Sequence, residues 1–295
     1  MIANLGARAL LAVVWLLHWL PLGVQAFLGR GFGRVLHRLG GTRRRVALRN
    51  VELCLPELNR AQRERLVRQH FMWLGRSLLE RALLWYAPAE RLKRLIRVEG
   101  DVTLAERSER PVMWLVPHFL GVDVAGLATQ LYQTHAAFDV YAPQSNVVLD
   151  QALLKGRSRF GTAEFYKRQD GARVIVRAIR RGLAFFNPAD MDFGLRDAAF
   201  VPFFGQQAAT LLAPSRMARS FDMLVQPVVA QMLPGGQGYV VRFLPAWTDW
   251  PTDDPVADAA RMNRFIEQQV RLNAAQYLWV HKRFKTRPEG APAIY

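Results

Sequence analysis

The sequence predicts an α/β protein: a mixed, mostly parallel sheet flanked by helices, with a hydrophobic helix at its N-terminus. Three observations carry that expectation. Short apolar runs alternate with stretches of helical period, as strands joined by crossover helices do. Charged residues gather just past the ends of two of those runs, at the edge where open α/β sheets place ligands. An apolar segment, Ala9 to Leu28, opens the chain.

That opening segment is interrupted only by His18, Pro21 and Gln25, and about 20 such residues span a bilayer's hydrocarbon core. Arg8 alone precedes it, whereas Arg30, Arg34, Arg38, Arg43, Arg44, Arg45 and Arg49 follow; this asymmetry keeps the rest of the chain on the cytoplasmic side. Two rival readings stand beside a spanning helix. Val24-Gln25-Ala26 loosely resembles a signal-peptide cleavage site, with the charge on the wrong side of the run, and a helix lying in the membrane surface tolerates Pro21 and the arginines. The expected organisation is a membrane anchor over residues 1–30 and one cytoplasmic-facing domain over 31–295.

Composition narrows the partners. The 295 residues hold 40 Lys and Arg against 24 Asp and Glu, a formal charge of +16, which calls for a polyanion. A 51% hydrophobic fraction with eight Trp suits contact with lipid and disfavours nucleic acid. Cys54 is the one cysteine, so no disulfide framework and no cysteine metal cluster exist. Its Arg-rich surroundings would favour a thiolate, but no base stands near it in sequence, and a buried, inert thiol is the plainer reading.

Asn59 to Trp85 reads as a long amphipathic helix capped by Asn59, with Leu66, His70, Phe71, Leu74, Leu78, Ala82 and Trp85 as its core stripe. Arg60, Arg63, Arg65, Arg68 and Arg76 lie on its other face, solvated or against anionic headgroups. Pro88 to Arg110 reads as a linker with a short charged helix. Val112 to Val116 is a buried strand stopped by Pro117, followed by a helix from Val124 with Asp123 at its cap. Phe138 to Ala142 is a strand, about Leu149 to Phe160 a helix, and Ala172 to Arg181 a helix ended by Gly182. Leu183 to Phe186 is a buried strand with Asp190 and Asp192 beyond it. A helix from Ala208 to Ser220 precedes a hairpin of Leu224 to Met232 and Tyr239 to Leu244, an antiparallel edge added late. Asp258 to Trp279 is the last long helix.

His118 and Asp123 flank the turn after the Val112 strand. A carboxylate holding one imidazole nitrogen's proton leaves the other nitrogen free to deprotonate an alcohol; a core histidine beside a helix-capping aspartate fits the same spacing. Asp190 and Asp192, two apart, find no third metal ligand nearby, so no metal site is expected. The chain lacks a G-x-S-x-G elbow, a Walker loop and a G-x-G-x-x-G fingerprint, which disfavours serine-hydrolase and nucleotide chemistry.

VPHFLGVD resembles the H-x4-D signature of the lysophospholipid acyltransferase superfamily. VALRNVELCLPEL, FYKRQDG, PADMDFG followed by VPFFG, QAAT, and QYLWVHKRFKTRPEG extend the likeness, over nearly the whole chain, to the lipid A late (secondary) acyltransferases of lipopolysaccharide synthesis. Many members carry Glu where this chain has Asp123. The resemblance implies transfer of an acyl chain from acyl carrier protein to a 3-hydroxyacyl hydroxyl of a Kdo-bearing lipid A precursor, with His118 and Asp123 as the base dyad and no cofactor. It implies an inner-membrane enzyme whose catalytic domain faces the cytoplasm. It also implies that Arg168 binds phosphate or steadies negative charge, that Asp190, Asp192 and Gly194 line the site, and that His281, Lys282, Arg283 and Lys285 contact acceptor phosphates or the acidic carrier. Against these stand a salt-bridged surface arginine, loop capping by Asp192 and a solvated basic tail. A relative acting on a lysophospholipid or aminolipid, and a non-catalytic polyanion-binding membrane protein, are the alternatives.

Overall fold

A computed structural model describes residues 2–161 and 163–295. Met1 of the expected anchor and Thr162 of the Gly161–Arg168 stretch lie outside it. Five helices come first: α1 (Ile2–Leu17), α2 (Leu22–Leu39), α3 (Gly41–Cys54), α4 (Arg60–Leu79) and α5 (Arg81–Tyr86). Next come α6 (Ala89–Leu95), β1 (Ile96–Gly100), α7 (Leu104–Arg107), β2 (Val112–Leu115), α8 (Val122–Leu131), β3 (Ala137–Tyr141) and α9 (Val147–Arg157). The chain continues with β4 (Ala163–Lys167), α10 (Ala172–Arg180), β5 (Ala184–Asn187), β6 (Ala198–Phe203), β7 (Gln206–Leu211), α11 (Ala213–Ser220), β8 (Leu224–Met232), β9 (Tyr239–Phe243) and α12 (Pro255–Leu272).

Seven strands form one sheet in the order β1-β9-β8-β2-β5-β3-β4, and β6 and β7 form a separate hairpin. Every pairing in the large sheet is parallel except β8 with β9, so the expected mixed, mostly parallel sheet is present. Its central strands β2 and β5 are buried along their whole length, as strands covered by helices on both faces must be.

The expected N-terminal helix is two helices. α1 ends at Leu17 and α2 begins after Pro21, whose fixed φ and missing N–H suit the start of a helix and forbid its middle. Sixteen residues rise only about 24 Å, short of the ~30 Å hydrocarbon core. Among the described residues no helix is long and apolar enough to cross a membrane, so a spanning anchor is not supported. The two helices and the turn between them still expose large apolar side chains: Trp19 in the turn is 67% and Phe27 on α2 72% accessible, with Leu5, Leu16 and Leu39 also open. The domain boundary expected at residue 30 falls inside α2.

α2 packs across α4 at glycines. A Cβ built on Gly33 would collide with the Phe71 carbonyl, and one on Gly75 with the Gly29 carbonyl, so these backbones approach as only hydrogen side chains permit. α4 starts where expected, with Asn59 and Gln62 forming a reciprocal capping box, but ends at Leu79. Arg76 does not face solvent: it is buried, donating to Glu80 Oε1 (2.6 Å) and the Leu233 carbonyl (2.9 Å), and Glu80 accepts the Tyr239 hydroxyl at 2.7 Å.

Four further expectations need correction. The Pro88–Arg110 linker holds the edge strand β1, whose half-buried, charged sequence hides its strand character. Residues 206–211 are strand β7, paired to β6 by register that helical periodicity does not reveal. β8 is internal, with β9 and β1 beyond it. The last long helix also stops earlier, at Leu272.

The glycine crossing yields a stability test. Gly33→Leu should destabilise the fold by about 1–3 kcal/mol or more, because an added side chain meets backbone rather than a mobile side chain; a thermal melt against wild type reads the loss, and Gly31→Leu, where a Cβ meets nothing within 4 Å, is the control.

Candidate active site

The parallel pairing of β2 with β5 aligns Leu115 with Asn187. His118 lies three residues beyond the first and Asp190 three beyond the second, so the two meet at the sheet's C-terminal edge. The His118 backbone N–H donates to both Asp190 carboxylate oxygens at 3.1 Å, and His118 Nδ1 lies 2.6 Å from Oδ1. With a carboxylate at that distance the proton sits on Nδ1, and Nε2 is left free. Asp190 is 2% accessible. Burial pushes its carboxyl up, but His118 opposes that through charge and hydrogen bonds and leaves it below its ordinary value.

Asp123 has different partners. Oδ2 takes Arg81 Nε at 3.1 Å, and Oδ1 takes Arg157 Nε at 2.8 Å and Nη2 at 2.7 Å. Burial opposes its ionisation; the two guanidiniums overcome it and hold the carboxyl at about 2. The residue that caps α8 is Gly121, with Asp123 inside the first turn. In geometry, then, the carboxylate that orients the His118 ring is Asp190, and Asp123 fixes two arginines beside it.

The C-terminal segment closes the site from behind. Leu278 N–H donates to the His118 carbonyl (3.1 Å) and Leu120 N–H to the Gln276 carbonyl (2.8 Å). Asp192 accepts the Thr286 N–H (2.8 Å), the Thr286 hydroxyl (2.7 Å) and the Gly194 N–H (3.0 Å), and its own N–H donates to His281 Nε2 at 3.1 Å. Asp192 thus ties its loop to the tail, and Gly194, at φ +90°, supplies a turn that favours glycine. Burial holds His281 down to about 4, with His118 adding to the effect. Arg283 is buried, donating to the Ala209 carbonyl (2.8 Å) and Thr210 hydroxyl (2.9 Å). Lys282 lies 5.7 Å from the Tyr295 ring. Neither residue lines the substrate-sized cavity.

That cavity, of about 1330 Å³, has His118, Asp123, Arg157 and Arg168 in its wall. Arg168 lies over the Phe193 ring at 4.6 Å. Arg81, Arg157 and Asp139 also line the cavity and carry no signal in sequence spacing. Among the described residues Asp139 Oδ1 has no hydrogen-bond partner, and burial raises its carboxyl above the ordinary range against the pull of Arg157. Cys54 is buried, and burial pushes its thiol far up, which makes it inert. Among the described residues no group of three or more His, Cys, Asp or Glu is placed to hold a metal ion.

A family model described as bacterial lipid A biosynthesis acyltransferase matches residues 3–286. The chain is 32% identical over 288 residues to the lipid A biosynthesis lauroyltransferase of Escherichia coli K12, covering 97% of this chain and 93% of that one. It is 32% identical to the palmitoleoyltransferase of the same organism, covering 97% and 92%, and 31% identical over 261 residues to its myristoyltransferase, covering 88% and 80%.

Acid should destabilise the fold through buried His70 and half-buried His281. His281, and His70 likewise held down to about 4 by burial, take up a proton more readily unfolded than folded, so stability is full above pH ~6.5 and falls as pH drops towards ~4. His281→Gln should flatten that fall by up to about one proton's slope, measured as unfolding free energy against pH.

Proposed function

The chain belongs to the bacterial lipid A biosynthesis acyltransferase family and is therefore an acyltransferase acting on a lipid A precursor; from that premise we infer that it moves a fatty acyl chain from acyl carrier protein to a 3-hydroxyacyl hydroxyl of a Kdo-bearing precursor. One observation carries this reading: an imidazole with Nδ1 held by a buried carboxylate and Nε2 without a hydrogen-bond partner among the described residues, in the wall of a large, mainly apolar cavity.

The chemistry follows from that placement. Nε2 of His118 takes the hydroxyl proton as the oxygen bonds to the thioester carbonyl carbon; the carbon–sulfur bond then breaks, and the proton passes to the departing sulfur. Asp190 keeps the ring in the required tautomer and offsets the charge it gains. The H-x4-D pattern gives that supporting role to Asp123. In the geometry described here, Asp123 serves by fixing Arg157 and Arg81 at the wall, while Asp192 and Gly194 shape the loop that carries Asp190. Arg168 steadies substrate negative charge. The thioester arrives activated, so no covalent intermediate and no cofactor are needed.

The exposed apolar and basic surface supports a place at the inner membrane. α1 and α2 lie along the cytoplasmic face of the inner membrane, with Trp19 and Phe27 in the interface and the exposed Arg34, Arg38, Arg43 and Arg45 near anionic headgroups. Carrier, precursor and membrane are all anionic, in keeping with the +16 charge. His281 and Lys282 act at the tail, the first by holding the Asp192 loop and the second by surface charge, while Arg283 acts from the interior.

Mass spectrometry of lipid A from a deletion strain should show one secondary acyl chain missing, and unchanged lipid A would point to a lysophospholipid or aminolipid acceptor. His118→Ala should abolish transfer, and Asp190→Asn should lower kcat by roughly 10²- to 10⁴-fold in an assay with purified acyl carrier protein thioester. The wild-type rate should fall as salt rises, through loss of electrostatic steering.

A further inference from the structure

The cavity does not stay on one side of the sheet. Phe185 and Phe186 are consecutive on β5 and so point to opposite faces, yet both line it. Phe185 belongs to the core that includes Phe138, with Ile175 and Met217 packed on it; Phe186 belongs to the other core, with Leu120 and Leu127. All seven are in the cavity wall. The void therefore wraps around the C-terminal edge of the sheet, with an apolar arm on each face. His118, three residues past the end of β2 and in the cavity wall, stands at that edge between the arms.

The two arms end differently. The arm on the α8 face runs out to α1, where Leu10 and Val13 line it while remaining 52% and 53% accessible, so its rim is apolar and continuous with the exposed apolar surface of α1 and α2. The exposed cations that line the cavity, Arg168 and Arg196, come instead from the segments after β4 and before β6, and Asp197, next to Arg196, pairs with Arg216 of α11, the helix that carries Met217. An apolar rim suits a chain arriving from a bilayer. A cationic one suits a chain tethered through a phosphate to an acidic carrier. About 1330 Å³ also exceeds the ~300–1,000 Å³ of a site for one drug-sized ligand.

We propose that the cavity holds two hydrocarbon chains at once, one on each face of the sheet, meeting at His118. The acceptor's chain enters past α1 and lies along α8 and Phe186, and the chain to be transferred lies along Phe138, Phe185, Ile175 and Met217. This rests on the acyl-transfer reading above and adds which wall reads which substrate. The arm along Ile175 and Met217 then sets donor length, and the arm along Gly126 and Leu127 sets acceptor fit.

The test uses the full chain with two variants and two substrate series. A Cβ on Gly126 meets Phe186 only at 3.9 Å, so Gly126→Leu fits its helix and fills the α8 arm. Met217→Trp fills the other. With saturated acyl thioesters stepped by two carbons, Met217→Trp should move the preferred donor at least one step shorter. Gly126→Leu should leave the preferred donor where it is and raise KM for the lipid acceptor roughly tenfold, the loss expected from about two displaced methylenes. Met217→Ala should move the preference longer, and decides the matter if the tryptophan variant fails to fold. Both variants shifting the same profile, or Gly126→Leu shifting the donor profile alone, would overturn the two-arm assignment. Wild type that transfers nothing to the lipid acceptor would instead overturn the acyl-transfer reading itself.

Discussion

The bond between His118 and Asp190 exists because β2 and β5 lie side by side, parallel and in register. Two strands buried on both faces are fixed against slippage, since a shift of one residue would exchange their core faces. Whatever follows them at equal distance is therefore delivered to one place. Asp190 grips both the main chain and the ring of His118, so the imidazole is set by backbone pairing rather than by a mobile side chain. The tail then pins the same loop from outside: Leu278 holds the His118 carbonyl, and Gln276, whose side chain bonds the backbone N–H and carbonyl of Met232, holds the next turn through Leu120.

Most of the enclosed charge in this region has an ionic or hydrogen-bonding partner, although Asp139 Oδ1, Arg76 Nη2 and Arg283 Nε have none among the described residues. Asp123 lies between Arg81 and Arg157, Arg76 beside Glu80 with Tyr239 behind, and Arg283 among carbonyl and hydroxyl oxygens. Such groups are costly to bury alone and fix geometry when satisfied. They also explain why the basic tail is not uniformly a surface feature: Lys282 remains outside, while Arg283 is one of the fully enclosed cations that hold β7 to the tail and α12.

Much of this was legible in the sequence. The alternation of apolar runs with helical periods placed β2, β5, β8 and most of the crossover helices, because strands buried on both faces leave continuous apolar runs. His118 and Asp190 each stand just past an apolar run that reads as a strand. Their pairing was not legible, since it depends on strand order, and 72 residues separate them; the nearer Asp123 took that part instead. Arg81 and Arg157 carry no mark in the sequence, because an arginine on a helix reads as solvated until its neighbour is known. β1 and β7 were hidden for a related reason: a charged edge strand and an Ala/Gln-rich hairpin strand lack the apolar signature. The first apolar run was visible as a length, but the break at Pro21 decides its architecture.

Which carboxylate holds the His118 ring decides how the site works. Nitrogen-15 NMR of histidine-labelled protein measures it directly, through the His118 Nδ1–H tautomer and its strongly hydrogen-bonded proton. That signal should be present in wild type, persist in Asp123→Asn and vanish in Asp190→Asn. Loss of the signal in Asp123→Asn with survival in Asp190→Asn would contradict the geometry on which the active site rests.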